Sequence, residues 1–525
     1  MYDVNGRRGM GLLGERAVVL GGSVAGMCAA GAVAPYFDEV VVLERDLIPD
    51  DAEHRRGVPQ SKHPHFLLNA GRRAMDTLFP GYEDALIDAG GMHLMPSMAA
   101  AHCEAAGWIP RQESTMTMVY ASRLLIERTL RGKLSEIANV RVIEGVNIEG
   151  IEVVHTGAST GRVTGAWVTG GDDGPQRALI EGDLVIDTLG RGSLVSDWLV
   201  KAGWPEVRVQ SLDAGVTYTT QWFAKPVDLP ESWWWHQLSV MPTSDTGSHP
   251  PEHDFLCQIF PIEGDRVLVT MGSWGHPMPR KDDEFRETAT RLRTPVFAQI
   301  MELCEPLSKV FVTKSTGNKR RRFDELANPP ANLLVLGDAI CGFNPFYAQG
   351  MTSAAKSAVL LADMLRTEAD AGKATLEATF PRRYFDAQRG LLDDIWVLAL
   401  ARDQGYENAA GTEIAPRWRR RIAARAGWPI FNLISATSRE DEAVENAFTA
   451  VFNLEKPVTE MVTNPRVLFG IARFAIKRAL RRNRLPIGFD AQENPPSTIY
   501  RDGRPHPGGR AHVLPRASVG SAVSG

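Results

Sequence analysis

Residues 17–26, AVVLGGSVAG, combine a short apolar run with a glycine-rich turn. Four consecutive apolar residues predict a strand that is buried on both faces, as in a parallel sheet. The small residues that follow, MCAAGAVAP (27–35), predict a helix, and a second apolar run, EVVVL (39–43), predicts the next strand. The segment is therefore a βαβ unit whose first turn lies at a helix N-terminus.

This turn has nearly the spacing of a dinucleotide-binding fingerprint. Its residues are Gly21, Gly22, Ser23 and Gly26, with serine at the middle glycine of the usual G-x-G-x-x-G. Backbone N–H groups and the helix dipole can bind a pyrophosphate there. Glu44 ends the second strand 18 residues after Gly26, where a carboxylate can accept hydrogen bonds from a ribose diol. An acidic residue there favours FAD or NAD over NADP, and Arg45 joins the candidate contacts; a plain strand–helix turn is the alternative.

The composition limits the possible partners. The 525-residue chain has a net charge of −5, so no overall positive field is available for nucleic acid. The length allows two or three packed domains. Five scattered cysteines without a C-x-x-C pair predict reduced thiols rather than disulfides or a zinc site. Residues 1–16 contain no continuous apolar core of signal-peptide length, which predicts a cytoplasmic protein.

Two further segments help to decide between FAD and NAD. Residues 118–134, MVYASRLLIERTLRGKL, predict an amphipathic helix with Arg123 near its start. DLVIDTLGRGS (183–193) predicts a buried strand that ends in a glycine-rich turn. This is not a second fingerprint, because no helix with an acidic residue about 20 positions later follows it. The chain therefore contains one dinucleotide fold, interrupted and then resumed.

A third glycine-rich segment follows the apolar run NLLVL (332–336). It reads GDAICGFNPFYAQGM (337–351) and precedes a helical run, TSAAKSAVLLADMLR (352–366). A strand, a Gly-Asp turn, a stiff proline-containing loop and a helix start succeed one another here. Such a succession indicates a ligand-binding segment rather than a plain connection.

In this order, the motifs resemble those of the single-component FAD-dependent monooxygenases, a group with aromatic hydroxylases, squalene epoxidase and polyether-type polyketide epoxidases. The resemblance covers about residues 15–365. It rests on GGSVAG with VVVLERD, RRGVPQ (55–60), ASRLLIE (121–127), DLVIDTLGRGS and GDAICGFNPFYAQGM. RRGVPQSKHPH and NPFYAQGM are most similar to the actinobacterial epoxidase branch. The chain departs from the family at two positions: Ser23 replaces a glycine of the fingerprint, and Ala348 replaces the first glycine of the family's G-Q-G.

The resemblance implies an α/β fold: a Rossmann-like FAD-binding domain of the GR2 type, an inserted, mostly antiparallel substrate sheet and a helical C-terminal region. The predicted boundaries are 15–203 and 316–366 for the FAD-binding domain, 204–315 for the sheet, 367–489 for the helices and 490–525 for a disordered tail. The middle region agrees with this, because TYTTQWFA (217–224), FLCQIFPI (255–262) and RVLVTMGSW (266–274) predict strands, and a glycine-containing hairpin loop joins the last two.

The resemblance also assigns cofactor contacts. It implies that the glycine turn and Glu44 hold the ADP half of FAD, that Arg123 contacts the phosphate–ribityl region and that Asp338 hydrogen-bonds the ribityl chain. The residues implied beside the pyrimidine edge of the flavin are Gln349, Gly350 and Met351. Independently of the family, N–H groups at a helix N-terminus stabilise the negative charge of a reduced flavin. Arg56 is implied near the isoalloxazine ring.

The candidates for the substrate side are Gln60, His63, His65, Pro261, Pro345 and Tyr347. His63 and His65 have no nearby carboxylate or cysteine ligand, so no metal site is predicted; a flavin- or substrate-lining role and ordinary packing at a helix start both stay open. Lys62 could match the lysine of flavin halogenases, but the sequence lacks their W-x-W-x-I-P stretch. For Pro261 the alternative is sheet packing.

The C-terminal third is predicted to be helical over 382–404, 439–453 and 466–484. In the last of these, Leu468, Phe469, Ala472, Ala475, Ile476, Ala479 and Leu480 share one face at 100° per residue, and basic residues occupy the other. Such a helix can lie on an anionic membrane surface. The favoured interpretation is instead that the apolar face docks on the flavin domain.

Together the motifs predict an oxidoreductase, a monooxygenase of the kind found in secondary metabolism. The resemblance implies that NAD(P)H or a separate reductase supplies electrons, and that a flavin C4a-hydroperoxide transfers oxygen to a small apolar substrate as an epoxide or hydroxyl. No protein acid or base is strictly required for epoxidation, so no catalytic residue is predicted. The alternatives are a flavin-dependent dehydrogenase or prenyl-chain reductase, a flavin-dependent halogenase, and a non-catalytic flavoprotein.

Overall fold

A five-stranded parallel sheet lies at the centre of the fold. Its strands are, in spatial order, Leu333–Val335, Leu184–Asp187, Arg16–Leu20, Glu39–Leu43 and Val140–Ile143. The helix Val24–Val33 connects the third and fourth of these and is buried along nearly its whole length, which explains its small residues. The predicted βαβ unit and the resumption of the same sheet after residue 330 are therefore confirmed.

The computed structural model describes residues 11–49, 54–55, 57–104, 107–114, 116–157, 160–171, 176–226, 228–230, 232–242, 244, 249–251, 255–292, 294–313, 316–480, 495 and 513–514. Further helices in the first half of the chain are Asn69–Leu78, Tyr82–Asp88, Pro96–Ala99, Arg123–Ser135 and Val195–Lys201. Single turns of 3₁₀ helix occur at Ala34–Tyr36, Pro59–Lys62, Gly190–Gly192, Phe323–Glu325, Gly337–Ala339 and Pro345–Tyr347.

A seven-stranded sheet forms the predicted substrate region. Its spatial order is Phe311–Thr313, Thr217–Ala224, Arg266–Ser273, Leu256–Ile262, Gln237–Val240, Ala100–Glu104 and Gly107–Trp108. All pairs are antiparallel except that of Gln237–Val240 with Ala100–Glu104. The last two strands come from the range 15–203, so this sheet draws on both of the first two predicted domains; the domain boundaries themselves stay a prediction. Helices Asp282–Thr290 and Val296–Leu303 pack on one face.

Three smaller sheets complete the β-structure. An antiparallel sheet of Val146–Gly157, Thr160–Gly170 and Ala178–Glu181 is inserted before the strand Leu184–Asp187. A second consists of Val209–Leu212, Asn318–Arg321 and Cys341–Gly342, and a third pairs Met92–Leu94 with Met118–Tyr120. The second of these includes Cys341–Gly342, which belongs to the segment at 337–351.

The C-terminal third is helical, as predicted. Its helices are Gly350–Asp370, Phe380–Asp403, Arg417–Ile422, Trp428–Thr437, Glu442–Phe452, Glu460–Thr463 and Pro465–Leu480, with a π-helical turn at Ala423–Gly427. The predicted tail 490–525 lies outside the described residues except at positions 495 and 513–514. Among the described residues, no helix is long and apolar enough to cross a membrane.

The last helix corrects one prediction. Its buried residues are Val467, Gly470 and Phe474, whereas the apolar face that was expected to dock is turned outward. Phe469 and Leu480 on that face are 69% and 80% exposed. A second, narrower stripe therefore makes the packing contact, because Gly470 lets the helix approach Asp441 and Val444 closely.

The fingerprint turn supplies the first testable prediction. A Cβ at Gly26 would lie 1.8 Å from the carbonyl oxygen of Gly21, so backbone would have to move. We expect Gly26→Ala to lower the free energy of unfolding by about 3 kcal/mol or more. The measurement is urea denaturation. Gly132→Ala is the matched control, because its Cβ meets nothing within 4 Å inside the helix Arg123–Ser135 and should stabilise by about 0.5–1 kcal/mol. Equal effects of both substitutions would contradict the account.

Candidate functional site

The glycine turn brings the first strand, the helix start and the segment after Asp187 into contact. Gly21 has φ +102°, a conformation that favours glycine, and its N–H donates to the carbonyl of Leu43 at 2.8 Å. The Thr188 hydroxyl donates to the carbonyls of Leu20 and Gly21 at 2.7 and 2.9 Å. Two of the predicted motifs, 17–26 and 183–193, therefore meet directly at this turn.

Glu44 occupies the position predicted for the ribose-binding carboxylate. Its side chain is buried and accepts hydrogen bonds from the N–H groups of Gly22 at 2.8 Å and Asp46 at 2.9 Å. Arg55 Nη1 lies 3.2 Å from the same carboxylate. A carboxylate has about four lone-pair positions, so Glu44 can orient the turn and still accept a further hydrogen bond.

A buried ionic network continues from Glu44 to Arg123. Arg55 Nη2 lies 3.2 Å from Glu127, which accepts a hydrogen bond from Arg123 Nε at 2.7 Å. Arg123 Nη2 in turn donates to the Ser23 hydroxyl at 3.2 Å. Burial alone would raise the pKa of Glu127, but Arg123 and Arg55 outweigh it and lower that pKa. Two guanidinium groups are therefore held beside the glycine turn, where a pyrophosphate would need them.

Asp338 lies on the other side of the same helix start. A Cβ at Gly337 would come within 2.5 Å of Ala25 Cβ, so the Gly337–Ala339 turn packs closely on the fingerprint helix. Arg191 Nε lies 3.6 Å from Asp338 Oδ2. Burial raises the pKa of Asp338, and Arg191 and Arg123 oppose that rise. The structure thus brings Asp338 and Arg123 to one place, as the motifs predicted.

The helix Gly350–Asp370 begins beside Asp338. A Cβ at Gly350 would be in ordinary contact with Asp338 Oδ1, at 3.5 Å, and Met351 is packed in the core. The first N–H groups of a helix have no intrahelical acceptor. Gln349 Oε1 and Thr352 Oγ1 are also buried without a hydrogen-bond partner among the described residues, as is Arg55 Nε at the glycine turn. Unused donors and acceptors along this path fit a long, polar, anionic cofactor such as FAD.

The loop before this helix is held by a buried carboxylate that the sequence interpretation missed. Asp403, the last residue of the helix Phe380–Asp403, accepts hydrogen bonds from four side chains: Trp274, Asn318, Asn344 and Tyr347. Burial raises the pKa of Asp403, and these four donors oppose that rise. An aspartate in a helical run has no local signal for this role. The Tyr347 hydroxyl, a substrate-side candidate, is committed to Asp403 at 2.7 Å.

Ala348, one of the two departures from the family pattern, has a left-handed backbone conformation. It has φ +56° and ψ +24°, the left-handed conformation that glycine adopts without strain. Pro345 and Tyr347 form the single 3₁₀ turn before it, and Asn344 accepts a hydrogen bond from the N–H of Phe346. The loop therefore holds an alanine in a conformation that glycine adopts without strain, and it retains a methyl group at the helix entrance.

The two predicted histidines, His63 and His65, lie between the seven-stranded sheet and the group formed by the glycine turn, Arg123 and Asp338. His63 Nδ1 is 2.8 Å from the Thr220 hydroxyl, and its ring meets Tyr218 edge to face. Burial, with His65, Lys62 and His54 nearby, lowers the pKa of His63 to about 3. Burial and then Arg123 lower the pKa of His65 to about 4. Both rings are therefore neutral at pH 7 and suited to lining a site rather than to acid catalysis.

Three candidates do not join this cluster. The Arg45 side chain is 63% exposed, and Gln60 is exposed in the turn Pro59–Lys62. A further candidate, Arg56, lies outside the described residues. Pro261 lies on the sheet face opposite Phe260, because successive strand residues alternate. There it lines a cavity with Trp233 and Trp235. Phe260, in contrast, lies on the face that carries Thr220 and packs edge to face on Phe66, with 4.7 Å between the ring centroids.

Comparison with known proteins gives the same picture. No protein-family model matches the chain. Protein Rv3254 of Mycobacterium tuberculosis is 27% identical over 447 residues, which cover 84% of this chain and 90% of that protein. The flavin-dependent brominase Bmp2 superposes with a TM-score of 0.57 at 12% identity, over 89% of this chain and 99% of that chain. The chain has the fold of flavin-dependent enzymes.

Two more solved structures support this conclusion at the level of the fold. A flavoprotein/dehydrogenase from Cytophaga hutchinsonii has a TM-score of 0.57 at 13% identity, over 88% of this chain and 100% of that chain. PqsL of Pseudomonas aeruginosa, called a probable FAD-dependent monooxygenase, has a TM-score of 0.51 at 17% identity, over 74% of this chain and 96% of that chain. The resemblance predicted from the motifs and the predicted fold class are confirmed.

Asp187, at the end of a central strand, supplies a pH-dependent prediction. It accepts hydrogen bonds from Ser193 Oγ at 2.5 Å and from the N–H of Leu189 at 3.0 Å, and burial raises its pKa from 3.8 to about 6. The folded protein therefore holds this proton more tightly than the unfolded chain does. As a result, native stability is lost as the pH rises from about 4 to about 6.

We expect Asp187→Asn to remove this loss, because asparagine does not ionise. Relative to the Asn variant, the wild-type free energy of unfolding should fall by about 2–3 kcal/mol between pH 4 and pH 7. Urea denaturation of both proteins at the two pH values measures the difference. A difference that does not change with pH would show that Asp187 keeps an ordinary pKa.

Proposed function

We propose that the chain is an FAD-dependent monooxygenase that adds one oxygen atom of O₂ to a small apolar organic substrate, by epoxidation or hydroxylation. The second oxygen atom leaves as water, with two electrons from NAD(P)H, directly or through a separate reductase. The observation that carries the proposal is the convergence of the glycine turn, Arg123, Asp338 and the start of the helix Gly350–Asp370. Four motifs that are far apart in the sequence therefore lie close together, and their charged and polar groups are of the kind that can bind FAD.

These residues define how FAD would be held. The glycine turn and the start of the helix Val24–Val33 would hold the pyrophosphate, and Glu44 the adenosine ribose. Arg123 would neutralise phosphate charge, and Asp338 would accept hydrogen bonds from ribityl hydroxyls. When bound, FAD supplies the redox chemistry and the reaction with O₂. Binding of FAD thus uses each predicted anchor that the structure brings together.

The chain's own contribution is orientation, charge stabilisation and exclusion of water. The N–H groups of Gly350 and Met351 would stabilise negative charge at the pyrimidine edge of the flavin. Phe66, Tyr120 and Phe260 form an aromatic cluster between the loop after His63 and the sheet, in which Tyr120 and Phe260 are buried and Phe66 is half-buried. An apolar wall of this kind suits an apolar substrate and a dry site. Because neither histidine is charged at pH 7, the arrangement favours oxygen transfer without a protein acid.

Reduction and halogenation are the competing functions on this fold. The likeness to the Cytophaga flavoprotein/dehydrogenase favours a reductase, and the likeness to Bmp2 favours a halogenase. Lys62, the halogenase candidate, points its ammonium group over the Phe311 ring at 5.0 Å. That cation–π contact gives the lysine a structural role in the loop. We therefore place oxygen insertion first.

The test is consumption of NAD(P)H and O₂ by the FAD-loaded protein with a panel of apolar polyenes and phenols. We expect substrate-dependent consumption of both and a product that carries one atom from ¹⁸O₂. Turnover under anaerobic conditions would support the reductase instead. A product that forms only with added bromide or chloride would support the halogenase. Bound flavin without substrate-dependent O₂ consumption, even when an added flavin reductase supplies the electrons, would support a non-catalytic flavoprotein.

A pair of variants links this activity to the site. Asp338→Ala should lose bound FAD and turnover together, because it removes the predicted ribityl acceptor. Asp363→Ala, at an exposed position in the helix Gly350–Asp370, should keep both. Full retention of flavin by Asp338→Ala would contradict the assignment.

A further inference from the structure

The C-terminal helices expose apolar side chains that no described part of the chain covers. On the helix Pro465–Leu480, Leu468, Phe469, Ile476 and Leu480 are 46%, 69%, 61% and 80% exposed. At 100° per residue these four side chains lie within about 120° of one another. The buried face of the helix is on the opposite side, at Val467, Gly470 and Phe474. This helix is therefore amphipathic, and its wider apolar face is exposed rather than packed on the described part of the chain.

A neighbouring segment also exposes large apolar side chains. The helix Arg417–Ile422, the π turn Ala423–Gly427 and the helix Trp428–Thr437 follow one another, and the last of them contacts Pro465–Leu480. Trp418, Ile422 and Ile430 are 59%, 57% and 58% exposed. We call residues 417–430 and 465–480 together the amphipathic surface.

Charge is strongly segregated in both segments. Residues 414–439 contain six arginines and 461–480 contain four basic residues, with no acidic residue in either stretch, although the whole chain has a net charge of −5. The exposed arginines of the amphipathic surface are Arg417, Arg419, Arg421, Arg425, Arg466, Arg473 and Arg478. Among the described residues, no carboxylate lies within salt-bridge distance of these seven. Lys477, by contrast, pairs with Glu440.

The charge pattern discriminates between possible occupants. A second copy of the chain would bring the same arginine-rich patch against itself in a two-fold interface, and like charges would repel. An anionic bilayer matches both features, because its phosphates attract arginine and its acyl boundary accepts Trp, Phe, Ile and Leu. Amphipathic helices with basic and aromatic residues lie in this interfacial plane without crossing the membrane.

We propose that the amphipathic surface docks the protein on an anionic phospholipid bilayer. Leu468, Phe469, Ile476 and Trp418 enter the boundary between headgroups and acyl chains, and the exposed arginines bind phosphates. The docking does not depend on flavin chemistry, so its failure would leave the proposed function intact. It would also place the enzyme where apolar substrates dissolve.

Co-sedimentation of the full-length protein with vesicles tests this proposal. We expect binding to vesicles of phosphatidylcholine and phosphatidylglycerol in equal parts, weak binding to phosphatidylcholine alone, and a decrease at high salt. Leu468→Asp should weaken binding by about tenfold or more, because it removes an inserted apolar side chain and adds a repelled charge. Arg466→Gln with Arg473→Gln should weaken binding roughly fivefold per arginine, on anionic vesicles only.

The matched control is Leu303→Asp. Leu303 is also a helical leucine with 46% exposure, but it lies on the helix Val296–Leu303 beside the seven-stranded sheet. Its substitution should leave vesicle binding unchanged. Three results would overturn the proposal: no binding of the full-length protein to anionic vesicles, equal losses for Leu468→Asp and Leu303→Asp, or a solution dimer that Leu468→Asp abolishes in a protein that does not bind vesicles.

Discussion

Arg55 shares its guanidinium between Glu44 and Glu127, and the candidate site depends on this buried ionic contact. Through it, the end of the second strand and the helix Arg123–Ser135 are joined beside the glycine turn. Removal of one partner from such a network typically costs about 3–5 kcal/mol, because the remaining charges stay buried. The same contacts place Arg123 against Ser23, where a phosphate would lie. Fold stability and cofactor recognition therefore rest on the same side chains.

Asp403 performs the corresponding role for the second half of the site. Its four donors are Trp274, which directly follows a strand of the seven-stranded sheet, Asn318, and two residues of the loop at 344–347. One carboxylate at a helix end therefore joins three parts of the fold. This explains how Ala348 can keep a left-handed conformation, because the loop before it is held on both sides. The helix Phe380–Asp403 thus holds the loop at 344–347 in place, whereas the later helices of the C-terminal region carry the amphipathic surface.

The parts of the fold that were predictable are those with local signals. The apolar strands, the glycine turn, the Gly-Asp turn and the hairpin at 263–265 follow from residue patterns within a few positions, and their order along the chain indicated the fold. Partners distant in sequence were not predictable: Arg55 was overlooked beside Arg56, and Asp403 has the pattern of an ordinary helical aspartate. The inserted sheet at 146–181 is largely half-exposed and so lacks a strong apolar run. For the last helix, the wide apolar face suggested docking on the flavin domain. The structure instead buries the narrower face at Val467, Gly470 and Phe474, because Gly470 permits a closer approach.

The central claim is that the glycine turn and Glu44 recognise the ADP half of FAD. Titration of the apoprotein with FAD and with FMN, followed by flavin fluorescence, tests it most directly, because the two cofactors share the flavin, ribityl chain and first phosphate. The account predicts that FAD binds on the order of 100-fold more tightly than FMN, the scale of two charge-assisted hydrogen bonds. Equal affinity for the two cofactors, or binding of neither, would contradict it.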